Sequence, residues 1–88
     1  MEIIFEARAM AEFTIWEKEN PKIAERIIDL IENITRNPYK GLGKPEALKY
    51  GLSGLWSRRI NQSNRLVYQI TKNNELFIIS CRHHYEKK

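Results

Sequence analysis

Two Asn-Pro dipeptides, Asn20-Pro21 and Asn37-Pro38, bracket the stretch that most constrains the fold. Between them Ile23, Ile27, Leu30 or Ile31, and Ile34 recur every three or four residues, with Lys22, Glu25, Arg26, Asp29, Glu32 and Arg36 in the intervening positions. That period places the apolar side chains on one stripe of a helix and the charges on the other. Asn suits the N-cap and Pro the first helical position, where a missing N–H costs nothing. The second dipeptide ends the helix, because the residue before a proline is pushed away from helical dihedrals. A helix apolar on one side must bury that side, so the rest of the chain has to supply a second layer.

The flanking sequence supplies one. Residues 1–5 are short, apolar and rich in β-branched side chains, which predicts a strand. Residues 6–19 read as a first helix with Met10, Phe13 and Trp16 on one face and Glu12, Glu17 and Glu19 pointing away. Three strands then follow at hairpin spacing, over 55–61, 65–71 and 76–84, separated by the polar turns Gln62-Ser63-Asn64 and Lys72-Asn73-Asn74. Residues 38–54 hold all four glycines and two of the three prolines. They read as a long irregular connection with one turn of helix around 46–50, the kind of loop that often carries function. The expected architecture is a single α+β domain over residues 1–88, a mainly antiparallel sheet with a helical pair packed on one face. At 88 residues a chain buries only about 60 to 65% of its unfolded surface, so a bound partner has much stability to add.

Charge separates the two halves. Residues 1–43 carry six Lys and Arg against eight Asp and Glu, a net of −2, whereas residues 44–88 carry nine against three, a net of +6. The basic half also holds Trp56, Tyr68, Tyr85 and both histidines, a mixture suited to neutralising phosphates and stacking bases. A polyanion is the expected partner. The lone Cys81 cannot form an internal disulfide, and the first ten residues carry acids and no long apolar run, so a cytoplasmic protein with no membrane contact is expected.

Alternation sorts the strand residues. Ser57, Arg59 and Asn61 fall opposite Trp56, Arg58 and Ile60; Arg65, Val67 and Gln69 fall opposite Leu66, Tyr68 and Ile70. On the last strand Ser80, Arg82 and His84 alternate with Phe77, Ile79, Cys81, His83 and Tyr85. Each strand thus offers a cationic or ionisable group outward, beside a Gly-rich loop bearing Glu46. Other chemistries fall away. Gly41-Leu42-Gly43-Lys44-Pro45 has the wrong glycine spacing for a phosphate loop and Pro in place of Ser or Thr. One cysteine and two adjacent histidines do not make a zinc site, so no metal or cofactor is expected. The sole aspartate, Asp29, lies on the polar face of the second helix, which leaves a serine triad without its acid. A loop carboxylate, a histidine near the C-terminus and several arginines remain. That set covers RNA cleavage through the 2′-hydroxyl: a base for its proton, an acid for the departing 5′-oxygen, and cations for the phosphorane. A glutamate is a weak base near neutral pH, so orientation has to carry part of the effect.

The strings Gly43-Lys44-Pro45-Glu46-Ala47-Leu48-Lys49, Leu52-Ser53-Gly54-Leu55-Trp56-Ser57-Arg58-Arg59-Ile60, Arg65-Leu66-Val67-Tyr68 and Cys81-Arg82-His83-His84-Tyr85 closely resemble the YoeB (Txe) toxins, of the RelE-like superfamily of type II toxin–antitoxin systems. The resemblance runs in one register from the first strand to Tyr85. It implies a RelE-like fold and a metal-independent mRNA interferase that acts in the A site of the 70S ribosome, leaving a 2′,3′-cyclic phosphate or its 3′-phosphate and a 5′-hydroxyl. It also implies neutralisation by a cognate YefM-like antitoxin and favours a homodimer.

Carried over by position, the resemblance makes Glu46 the general base, Arg65 the transition-state arginine and His84 the general acid. Lys49, Arg59 and Arg82 become phosphate or substrate contacts, and Tyr85 the tyrosine that orients substrate. Relatives commonly end in Arg-aromatic-His-Tyr, whereas here position 83 is histidine and Glu86-Lys87-Lys88 follow the tyrosine. Adjacency to Tyr85 favours His84 over His83. Two other readings compete. A ParE-like gyrase poison would not need Glu46 and His84 together, and a plain RNA-binding module would be weakened by a carboxylate in its phosphate groove.

Overall fold

The computed structural model describes residues 1–52 and 54–83. The order is β1 (Glu2–Phe5), α1 (Ala7–Glu19), α2 (Pro21–Arg36), β2 (Glu46–Ala47), β3 (Trp56–Arg59), β4 (Arg65–Ile70) and β5 (Glu75–Ser80), with a 3-10 turn at Tyr50–Leu52. The strands form one sheet in the order β1-β5-β4-β3-β2. Strands β2 to β5 pair antiparallel, and β1 runs parallel to β5, with Ile4 opposite Phe77. Such a parallel neighbour needs a long crossover, which both helices help to provide.

Both helices cover one sheet face. The buried stripe of α2 is Ala24, Ile27, Leu30, Ile31 and Ile34, and it meets Leu66, Tyr68, Leu76 and Ile78 of the sheet. Pro21 stands at the first helical position as expected, but the Asn20 side chain makes no capping bond; its carbonyl accepts the Ile23 N–H at 2.9 Å. Helix α2 ends at Arg36, directly before Asn37-Pro38.

Three sequence expectations are corrected. Helix α1 buries Ala9 and Trp16 with Phe13 half-buried, while Met10 is 48% exposed, so its inner face is turned by one residue. Ala9 is small enough to let the helix approach the sheet, where the Cys81 thiol lies 3.5 Å from its carbonyl oxygen. Residues 46–47 form an edge strand rather than a helical turn, because Glu46 and Ala47 find partners in Ser57 and Trp56 of β3. The last strand stops at Ser80, four residues short of the expected end. Tyr68 pairs with Ile78 but Val67 with Ser80, so Ile79 is an extra residue in a β-bulge. A bulge reverses the alternation beyond it. Cys81 therefore joins the core with Leu76 and Ile78 instead of sharing a face with Phe77 and Ile79.

Candidate active site

The loop ahead of β2 is fastened from below by an arginine. Arg58 lies on the core face of β3 with no exposed surface, and all five of its guanidinium N–H groups have acceptors. Nε donates to the Tyr68 hydroxyl at 3.3 Å, Nη1 to Asn33 Oδ1 at 2.6 Å and the Leu42 carbonyl at 3.1 Å, and Nη2 to the carbonyls of Asn37 at 2.6 Å and Lys40 at 3.0 Å. The Tyr68 hydroxyl donates to the Pro38 carbonyl at 2.6 Å, and burial raises its pKa, Arg58 opposing the shift. One side chain thus ties three carbonyls of the 37–42 segment to the sheet. Gly43 completes the descent at φ +80: its carbonyl accepts the Arg59 N–H at 2.7 Å, and a Cβ there would come 2.9 Å from Leu30 and 3.0 Å from the Arg59 carbonyl oxygen. The chain then passes into β2 with Glu46 opposite Ser57.

On the face away from the helices the register sets Glu46 beside Ser57 and Ser57 beside Val67, while Arg59 stands directly opposite Arg65. Nη1 of Arg65 lies 3.2 Å from the buried Ser57 hydroxyl and 3.6 Å from Oε1 of Glu46. The Arg65 side chain is 16% exposed and that of Glu46 62% exposed. The guanidinium is therefore held, whereas the carboxylate reaches into solvent. Like charges directly across a strand pair are destabilising unless something of opposite sign sits with them. Beside the Arg59–Arg65 pair that opposite charge is Glu46.

The structure brings Glu46, Arg65 and Arg59 together. Lys49 follows two residues after β2 and is exposed. The direction that alternation gave Arg82 is corrected: its guanidinium sits 4.7 Å over the Trp16 ring and pairs with Glu19 at 3.3 Å, so it turns toward α1. The physical cause is the end of β5 at Ser80, after which alternation no longer governs. His83 is exposed with φ +70, and its carbonyl accepts the Arg65 N–H at 3.1 Å. His84 and Tyr85 lie outside the described residues. Sequence reasoning assigned no role to Ser57 or Arg58. The first carried a signal, a small hydroxyl on the same strand face as Arg59. The second carried only its place between Trp56 and Ile60 on the core face, since its acceptors are backbone carbonyls without a sequence pattern.

This arrangement, a two-helix, five-strand α+β fold with a carboxylate and paired arginines on the sheet face away from the helices, defines a class of small toxin. Residues 5–85 match the family model of the YoeB-like toxin of bacterial type II toxin–antitoxin systems, and the chain belongs to that family. It is 46% identical to toxin YoeB of Synechocystis over 99% of this chain and the whole of that one. The solved YoeB/ParE toxin of Agrobacterium tumefaciens superposes with a TM-score of 0.93 at 38% identity, covering 97% of this chain and 100% of the other. A YoeB of Staphylococcus aureus has been solved as a dimer (TM-score 0.89, 38% identity) and in complex with YefM (TM-score 0.87, 40% identity), each covering 97% of this chain and 98% of that one. Among the described residues no helix is long and apolar enough to cross a membrane.

Proposed function

We propose that this toxin is a ribosome-dependent mRNA endoribonuclease whose reaction needs no metal. The observation that carries the reading is the Glu46–Arg65–Ser57 cluster with Arg59 across the strand from Arg65. Glu46 takes the proton from the 2′-hydroxyl and the 2′-oxygen attacks phosphorus. The equatorial charge of the phosphorane falls to Arg65, whose planar donors are preorganised by Ser57, and to Arg59. His84 gives its proton to the departing 5′-oxygen, leaving a 2′,3′-cyclic phosphate and a 5′-hydroxyl. Tyr85 orients the nucleotide and Lys49 steers the backbone. Arg82 is left out of the substrate contacts, because its guanidinium is engaged by Trp16 and Glu19.

A protein with this activity acts in the cytoplasm. Its partners are the 70S ribosome, mRNA and a cognate YefM-like antitoxin, and a homodimer is its expected free form, as in the Staphylococcus aureus relatives. A gyrase poison or a plain RNA-binding module gives no use for Glu46 beside Arg65.

Primer extension on translating ribosomes, with chemical analysis of the new ends, is the direct test. Cleavage in the A-site codon with a cyclic phosphate or 3′-phosphate is expected. Glu46→Gln and His84→Gln should each lower cleavage about 10² to 10⁴ fold with folding intact, the scale for general acid–base groups. Loss of activity in His83→Gln but not in His84→Gln would move the acid to His83, and absence of ribosomal cleavage by the wild type would overturn the reading.

A further inference from the structure

Beyond β5 the chain is held by side chains. The Cys81 N–H donates to Oε1 of Glu12 at 2.8 Å, and the Cys81 carbonyl accepts the indole N–H of Trp16 at 2.8 Å. Two residues later the His83 N–H donates to Asn64 Oδ1 and the His83 carbonyl accepts the Arg65 N–H. Residues 81–83 are thus suspended between α1 at one end and, at the other, the residue placed to hold the phosphate.

The tether from α1 has an unusual composition. The Glu12 side chain is 12% exposed, on the inward side of a helix whose neighbouring inward residues are Ala9, Phe13 and Trp16. An apolar residue would pack there without the cost of withdrawing a carboxylate from water. What the carboxylate adds is direction: one oxygen accepts the Cys81 N–H in a charge-assisted bond while the other receives Arg8 Nε at 3.0 Å. Trp16 likewise uses its single donor on the adjacent carbonyl, and its ring carries Arg82.

We infer that Glu12 and Trp16 are positioning residues for RNA cleavage: they fix residues 81–83, and with them the point from which the chain continues to His84. The inference rests on the reading that His84 donates the proton to the leaving oxygen. A misplacement of about 1 Å at such a group costs up to roughly 10² fold in rate, without any loss of binding charge.

The experiment compares wild type, Glu12→Ala, Glu12→Gln and Trp16→Phe in single-turnover cleavage of mRNA on programmed ribosomes, with toxin varied to saturation. Each assay runs well below that variant's melting temperature. Glu12→Ala and Trp16→Phe should lower the saturated rate constant about 10-fold or more, within that geometric limit, and leave the half-saturating concentration nearly unchanged. Glu12→Gln should recover much of the rate, since its amide oxygen accepts the same N–H. Saturated rates equal to wild type in folded Glu12→Ala and Trp16→Phe would overturn the inference, and so would a loss confined to half-saturation or melting temperature. Wild-type toxin that failed to cleave at all would instead overturn the nuclease reading and this inference with it.

Discussion

At the scale of single residues, the two arginines that face each other across β3 and β4 differ in how they are held. Arg65 is mostly buried, bonded to Ser57 and close to Glu46, whereas Arg59 is exposed. A preorganised cation stabilises developing charge without reorganising at the moment of reaction. Arg65→Ala should therefore cut the single-turnover rate at saturating ribosome by about 10² to 10³ fold, the scale for losing one such donor. Lys72, a flexible charge on the β4–β5 turn, should behave otherwise: Lys72→Ala leaves the saturated rate nearly unchanged and weakens ribosome binding in a salt-dependent way. An Arg65→Ala variant that lost only affinity would transfer the phosphorane to Arg59. His83 adds a backbone argument. Its φ of +70 lies where a side chain other than glycine or asparagine is unfavourable by roughly 1 to 2 kcal/mol. His83→Gly should retain cleavage and hold or raise the denaturation midpoint, whereas His83→Val should lower it.

At the scale of elements, the Arg58 hub joins the α2 terminus, the 37–42 segment and the sheet. Lysine in its place offers three donors instead of five and no planar fork, so at least two of the five acceptors lose their partner. Arg58→Lys should destabilise by roughly 2 to 5 kcal/mol, read from denaturant unfolding, and should slow cleavage because the loop below Glu46 loses its anchor.

The same elements show how far the chain could be read in advance. Helix α2 and strands β3 and β4 were legible because their periodicity is local and punctuated by Asn-Pro, Gln-Ser-Asn and Lys-Asn-Asn. Strand β2 was not, since two residues carry no period and their pairing depends on β3. The parallel contact of β1 with β5 joins residues more than seventy apart, and no pattern at either end announces it. The bulge at Ile79 shifted the face of Cys81, and the end of β5 at Ser80 released Arg82 from alternation. Arg59 and Arg65 were legible because alternation and turn position place them, and Glu46 only as a carboxylate on the Gly-rich loop, while Glu12 was read as a solvent-facing acid from an α1 face set one residue off.

At the scale of the whole molecule, pH acts through the core. Burial pushes the Cys81 thiol up to about 12, with Glu12 adding to the shift and Arg82 opposing it, and burial raises Tyr68 as well. Both groups are neutral when protonated. A folded-state pKa above the unfolded value contributes stability that is fully present below the unfolded pKa and is lost as pH rises through the folded one. For Cys81 that window runs from about 9 to 12. Stability should fall between pH 9 and 11, and Cys81→Ala should flatten that fall while lowering stability at pH 7; an unchanged slope would remove the thiol from the account. The protonated, buried thiol should also resist alkylation until the chain unfolds.

Charge acts at the same scale but through partners. The +6 half includes the exposed Lys49 and, on the sheet face away from the helices, Arg59 and Arg65, and the small core leaves stability for a partner to add. An acidic segment that is disordered when free satisfies both conditions: it neutralises the cations it covers, and by binding only the folded toxin it shifts the unfolding equilibrium. At a free concentration about 100 times its dissociation constant, such a segment adds about 2.7 kcal/mol, a shift of several degrees in Tm for a domain of this size. The expected result is a rise in toxin melting temperature on addition of the operon-neighbour protein, reduced as salt screens the contact, together with loss of ribosomal cleavage. A neighbour that raised the melting temperature equally at low and high salt would be held by apolar contacts instead, and the basic face would be left to RNA alone.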